Sequence, residues 1–229
     1  MNKAEKKQQL ILFTLGIIPI CSTEQIARFF PELKYPNKQA SKLLKELERE
    51  SLVEGRDRRI GESKIWRLSR KGRKTLGIKN RAIPLTVRNV EHILKVGDAY
   101  LDLWETGNLS YFQAELRECF TNRVGTKRKY CPDAFFIYEG KAYFLEVQRS
   151  YLSRMNWAEK WKIANDFFLE SHYQKSSIYE LVPNKEDEPI IVVLSDQSNH
   201  VVQTGARIQL LMYQQCKQFI HEKKNIVFS

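Results

Sequence analysis

Apolar positions along the chain change period twice. From Leu10 to Leu47 they recur at helical spacing: Leu10, Ile11, Phe13, Leu15 and Ile18, then Ile26, Phe29 and Phe30, then Leu43, Leu44 and Leu47. This pattern predicts a mostly apolar first helix, a short second one and a third running through Leu52. Ser22 or Thr23 is the expected N-cap of the second helix, with Glu24 or Gln25 in its first turn. Pro31 and Pro36 are expected to end that helix and form the turn, and Asn37 to cap the third. After Leu52-Val53 the pattern shortens. Two short strands flank a charged tip from Glu54 to Lys64, anchored by Ile65, Trp66 and Leu68. Ser69 then starts a short helix. Ile78–Thr86 reads as a linker, and Arg88–Thr106 as a long helix with Val90, Ile93, Leu94, Val96, Tyr100 and Leu101 on its apolar sides.

The second half opens with Tyr111–Glu118 and then turns to strand periodicity. Pro132–Tyr138, a Glu139-Gly140-Lys141 turn and Ala142–Gln148 read as a β-hairpin. A helix is expected over Tyr151–Leu169, with Trp157, Trp161, Ala164 and Phe168 on one side. Pro189–Ser195 reads as a buried strand, Gly205–Phe219 as a helix and Asn225–Phe228 as a last short strand. This order fits an α/β fold (α+β overall), rather than a repeat or a bundle.

Charge divides the 229-residue chain unevenly. Residues 1–80 carry 19 Lys/Arg against 9 Asp/Glu, whereas the remainder is nearly balanced, within a net charge of +11. A basic module joined to a neutral one points to a nucleic-acid binder attached to something else. The 4 cysteines, Cys21, Cys119, Cys131 and Cys216, form no CxxC pair, which argues against a zinc site and for reduced thiols in the cytoplasm. The apolar run Leu10–Ile20 is too short to span a bilayer, and Ile20 before Cys21 is a poor cleavage position; a buried helix and no membrane partner are expected.

The candidate chemistry lies in the hairpin. Side chains alternate along a strand, so Glu146 and Gln148 share one face while Leu145 and Val147 point to the other. Asp133 on the paired strand can meet Glu146 at one point. Two such carboxylates, with the Val147 carbonyl, would hold a divalent cation over a phosphate. Glu115 lies upstream as an additional acid, with a surface glutamate an equal reading. The basic run Thr126–Lys129 is either a phosphate anchor or a solvated loop. Lys160 and Lys162, on the helix after the hairpin, are candidates for a positive charge at the site. In the basic third, Lys38, Gln39, Ser41, Lys42 and Lys45 form the polar face of the third helix, and Arg56, Arg58, Arg59 and Lys64 the charged tip; these are the candidate DNA contacts, with Arg67 a weaker one.

Helices, tip and charge together resemble a winged helix-turn-helix. Pro132-Asp133, Glu146 and Gln148 resemble the PD-(D/E)xK nuclease core, with Gln148 standing where lysine is usual. A glutamine can orient a water or a phosphate oxygen but brings no charge. The order of the winged helix, the Arg88–Tyr100 helix, Pro132-Asp133-Ala134 and Phe144-Leu145-Glu146-Val147 is similar to the replication-relaxation family of bacterial plasmids and mobile elements. The resemblance implies residues 1–80 as a winged helix-turn-helix domain, 81–110 as linker and connecting helix, and 111–229 as a nuclease-like domain. It implies a role in plasmid replication and DNA relaxation on double-stranded DNA, with a homodimer and a replication or mobilisation protein as candidate partners. Two activities stay open: Mg²⁺- or Mn²⁺-dependent cleavage with Glu115, Asp133, Glu146 and Gln148 as catalytic residues, or non-catalytic DNA binding, as replication accessory or transcriptional regulator, on a degenerate nuclease fold.

Overall fold

Helix and strand signals resolve into a mixed α and β architecture in a computed structural model that describes residues 3–79, 83–148, 154–195 and 209–212. The chain divides into two compact units, Met1–Leu101 and Asp102–Ser229.

In the first unit, α1 (Lys3–Ile17), α2 (Thr23–Ala27) and α3 (Pro36–Arg49) bury Ile11, Leu15, Ile26, Phe30, Leu44 and Leu47. Burying this much apolar surface is the main stabilising term of such a small core. Ser22 caps α2 by accepting the Gln25 N–H at 3.0 Å, and Gln25 Oε1 accepts the Ser22 N–H in return, a complete capping box. Helix α3 begins two residues earlier than expected, with Tyr35 and not Asn37 at the N-cap. Pro36 opens it, because the fixed φ of proline suits the first helical position and its missing N–H would have no helical partner there. Strands β2 (Val53–Arg56) and β3 (Ile65–Leu68) pair antiparallel around the charged tip. A two-residue β1 (Cys21–Ser22), which no periodicity announced, adds to β3 and makes a three-stranded sheet. Ser69 caps α4 (Arg70–Thr75).

Helix α5 (Val87–Trp104) lies mostly within this first unit. Gln25 explains why: its Nε2 donates to the Leu94 carbonyl at 2.8 Å and to Asp98 Oδ1 at 2.7 Å. Gly97 makes room for that amide, since a Cβ there would stand 3.1 Å from Nε2.

In the second unit, a five-stranded sheet runs β10-β9-β8-β7-β4. Its strands are β4 (Leu109–Ala114), β7 (Ala134–Tyr138), β8 (Lys141–Gln148), β9 (Ile190–Ser195) and β10 (Gln209–Met212). The β7–β8 hairpin turns through Glu139 and Gly140, both at positive φ (49° and 77°), the geometry that matches the twist of paired strands. Strand β9 is parallel to both β8 and β10. The helix expected over 205–219 is corrected here: Gln209–Met212 is strand. The apolar β9 has backbone groups on both edges to satisfy, and a strand laid beside it does so. The rest of that span, and the strand expected over 225–228, lie outside the described residues. A separate hairpin, β5 (Glu118–Thr121) with β6 (Lys127–Tyr130), was not anticipated. Helix α6 (Arg154–Leu169) covers one sheet face; Trp161, Ala164, Phe167 and Phe168 pack with Phe135, Phe144 and Ile191. On the other face Phe112, Phe136 and Tyr143 stack in series, with ring centroids 6.0 and 4.9 Å apart. Among the described residues no helix is long and apolar enough to cross a membrane.

Candidate functional site

Sheet register builds the site. Ala114 pairs with Ala134, and Ala134 with Leu145, so the next row across three strands holds Glu115, Asp133 and Glu146. The backbone confirms that row: the Glu115 N–H donates to the Asp133 carbonyl at 2.8 Å, and the Asp133 N–H to the Leu145 carbonyl at 2.9 Å. Asp133 is further pinned through its side chain, because Oδ2 accepts the Val147 N–H at 2.6 Å. Residues directly opposite on antiparallel strands share a face. Asp133 and Glu146 therefore both face the layer of α6, together with Phe135 and Phe144.

Glu146 is 2 % exposed, and a buried carboxylate is costly without compensation. Lys160 of α6 supplies it: its Nζ stands 2.6 Å from Glu146 Oε2. Burial alone would lower the Lys160 ammonium's pKa, but the carboxylates of Glu146 and Asp133 outweigh it and hold the group above its ordinary value. Lys162 is exposed to solvent instead. Gln148 is buried, 5 % exposed, two residues beyond Glu146 on the same strand face and opposite Ser195. The site's positive charge thus comes from the helix, one layer away from the strand position held by Gln148.

Glu115 shares the row in its backbone only in part. It lies one residue past β4, at φ 55°, and is exposed. Among the described residues no group of three or more His, Cys, Asp or Glu side chains is placed to hold a metal. A cation here would rest on two carboxylates, the Val147 carbonyl and water. Such hard oxygen donors fit Mg²⁺, which keeps several waters and commonly takes only one or two carboxylates.

Sequence reasoning missed Tyr130. Its ring packs among Phe144, Phe167 and Phe168, and its buried hydroxyl has no hydrogen-bond partner among the described residues. Burial first, then the charges of Glu146 and Asp133, push that phenol well above its ordinary pKa. The one available signal was its position three residues before Asp133.

In the first unit, Lys38, Lys42 and Lys45 recur at i, i+4 and i+7 on the exposed side of α3, beside exposed Gln39; Ser41 is half-buried. The charged tip divides in two. Arg59 is exposed, and Arg56 is exposed with its guanidinium donating to the Leu85 carbonyl. Arg58 is instead ion-paired with Glu91 and with Glu62, the latter at 3.0 Å. Lys64 lies 3.8 Å from Glu48 and over the Trp66 ring, and Arg67 pairs with Glu54 at 2.8 Å.

A basic unit with an exposed cationic helix face, followed by a sheet that sets half-buried Asp133 beside buried Glu146, is the class of protein these features define. The chain belongs to the replication-relaxation family, whose profile matches residues 14–179. That span covers both the α3 face and the Asp133–Glu146–Lys160 site. No curated protein matches the chain. Among solved structures, it is similar to the crystal structure of protein VC1899 from Vibrio cholerae, with a TM-score of 0.30 and 8 % identity over 96 % of this chain and 54 % of that one. The chain therefore spans about half the length of that protein.

Proposed function

We propose that the protein is a DNA-binding factor of plasmid or mobile-element replication that cuts or nicks DNA with a divalent cation. In this reading the first unit is a winged helix-turn-helix and the second a PD-(D/E)xK nuclease-like domain. The observation that carries it is the acid pair: Asp133 and Glu146 stand opposite each other on one sheet face, with Lys160 Nζ 2.6 Å from Glu146. Asp133, Glu146 and the Val147 carbonyl would hold Mg²⁺ or Mn²⁺, which when bound supplies Lewis acidity and lowers the pKa of a water. Lys160 supplies the cation that Gln148 does not, and can stabilise charge developing on the phosphate. Gln148 orients the attacking water or a phosphate oxygen. Lys38, Gln39, Lys42 and Lys45 present the groove-reading face, and Arg59 the phosphate contact of the wing.

A second reading has its own support. The Lys160–Glu146 pair already compensates the buried carboxylate without a metal. On that basis the second unit is a retired nuclease fold, and the protein binds DNA without cutting it, as a replication accessory or a transcriptional regulator. Incubating supercoiled plasmid with wild type and with Asp133→Ala, in Mg²⁺, Mn²⁺ or EDTA, separates the two. Open-circle or linear product from wild type alone, abolished by EDTA, supports the nuclease. Intact plasmid in every lane, with both proteins still retarding DNA, supports the binding protein.

A further inference from the structure

The β5–β6 hairpin has two chemically distinct faces. Its residues alternate in exposure along both strands: Cys119, Thr121, Lys127 and Lys129 are exposed, while Glu118, Phe120, Arg128 and Tyr130 are buried or half-buried. The register pairs Cys119 with Lys129 and Thr121 with Lys127, so the four exposed residues form one outer face.

The inner face fastens the hairpin to the rest of the unit. Phe120 packs on Phe167 and His172, with ring centroids 5.7 and 4.6 Å apart. Arg128 donates to Glu159 of α6 at 2.9 Å. At the hairpin tip, the Arg123 N–H donates to Glu170 Oε2 at 2.9 Å, and the Arg123 guanidinium lies 3.7 Å from Glu170 Oε1. The basic run is therefore not uniform, and Arg123 and Arg128 are structural.

Lys127 and Lys129 make no ion pair among the described residues, and neither does exposed Arg117, which leads into β5. A buried ion pair would explain a cation here; these three have none. The strand that carries Lys127 and Lys129 ends at Tyr130, three residues before Asp133. Hence a row of cations with no ion pair among the described residues, on an anchored β surface, leads to Asp133 just ahead of β7.

We propose that this outer face, through Arg117, Lys127 and Lys129, binds the sugar–phosphate backbone of DNA beside the Asp133–Glu146 site. The inference rests on the DNA-binding reading above and adds a contact surface in the second unit. The two lysines are flexible point charges and the Arg117 guanidinium is a planar donor fork, and both suit phosphate contacts that do not read sequence. Cys119 lies across from Lys129 on the same face, so it serves as a built-in reporter.

The test uses full-length protein and a labelled DNA duplex. Affinity is measured over a salt series for wild type and for Lys127→Ala combined with Lys129→Ala. Maleimide labelling of Cys119, read by mass spectrometry, is timed for wild type with DNA, with poly-glutamate and with neither. The expected result is a log–log salt slope smaller by about 2 in the variant, equally on unrelated sequences, with DNA slowing the labelling of Cys119. If wild type binds DNA but the variant keeps its slope and Cys119 labels at the same rate, the hairpin surface is overturned while the DNA-binding reading stands. Protection of Cys119 by poly-glutamate and not by DNA overturns it in favour of an acidic protein partner. A wild-type protein that binds no DNA overturns both.

Discussion

Lys160 Nζ and Glu146 Oε2 stand 2.6 Å apart across two layers, the first on helix α6 and the second on strand β8. The pair joins the candidate site to the core that carries it. Glu146 is 2 % exposed, on the sheet face that also carries Phe144, whereas the Lys160 side chain remains 28 % exposed.

Removing one partner should cost far more than removing both. Lys160→Ala leaves a buried carboxylate uncompensated and is expected to lower stability by about 3 kcal/mol. Lys160→Met with Glu146→Gln should restore most of that loss. Urea denaturation of the two variants checks this, and similar midpoints would remove the pair from the account.

The pH dependence follows from the raised pKa of Lys160. A cation whose folded value lies above its unfolded value stabilises fully below the unfolded value. That contribution is lost as pH rises through the folded value, which lies above the ordinary 10.5. The pair should therefore contribute evenly across roughly pH 6 to 9 and weaken only in strong alkali. The Lys160→Ala deficit should instead shrink in acid, where the orphaned carboxylate takes up a proton. Stability measured against pH for wild type and variant tests both limbs.

Gly97→Ala should destabilise although alanine is the better helix former, by about 1 kcal/mol in isolation. The new Cβ would stand 3.1 Å from Gln25 Nε2, and that amide is held by Leu94, Asp98 and Ser22. Gln25→Ala removes the same bonds and should cost about 2 kcal/mol. A lower denaturation midpoint in both variants is the expected result; a stabilised Gly97→Ala would mean that Gln25 can yield.

Gly72→Ala is expected to be more severe. Its Cβ would lie 2.0 Å from the backbone carbonyl oxygen of Leu52, which also accepts the Ser69 N–H. Backbone fixed in this way cannot shift cheaply, so a loss of about 3 kcal/mol is expected, at the upper end for overpacking. Thermal unfolding compared with wild type checks it.

Arg58 and Arg59 should separate by function. Arg58→Ala breaks ion pairs with Glu62 and Glu91 and should lower stability. Arg59→Ala should leave stability unchanged and reduce the salt slope of DNA binding by about 1. Paired melts and salt series on the two variants are the measurement; equal behaviour would contradict the division of the charged tip.

Much of this was legible in the chain. The α2 capping box, the apolar stripes of α1 to α3 and the β7–β8 hairpin with its Glu139-Gly140 turn are local patterns, and the structure contains each. Three features were not. The two-residue β1 exists only because β3 offers an edge. The β5–β6 hairpin hides behind a run of charges. Residues 209–212 form a strand beside β9 within a span whose apolar spacing suits a helix.

The sequence by itself determined that Asp133, Glu146 and Gln148 would face one side of a hairpin, because strand periodicity and turn geometry act over a few residues. It also determined that basic charge concentrates in the first third. Only the tertiary structure decided that Lys160, and not Lys162 or the Gln148 position, meets Glu146. It alone decided that, among the described residues, Arg58, Lys64, Arg67 and Arg128 are engaged by acids while Arg59, Lys127 and Lys129 are not. The reason is physical: a charge's partner is set by how layers pack across long stretches of chain, and no local period records that distance.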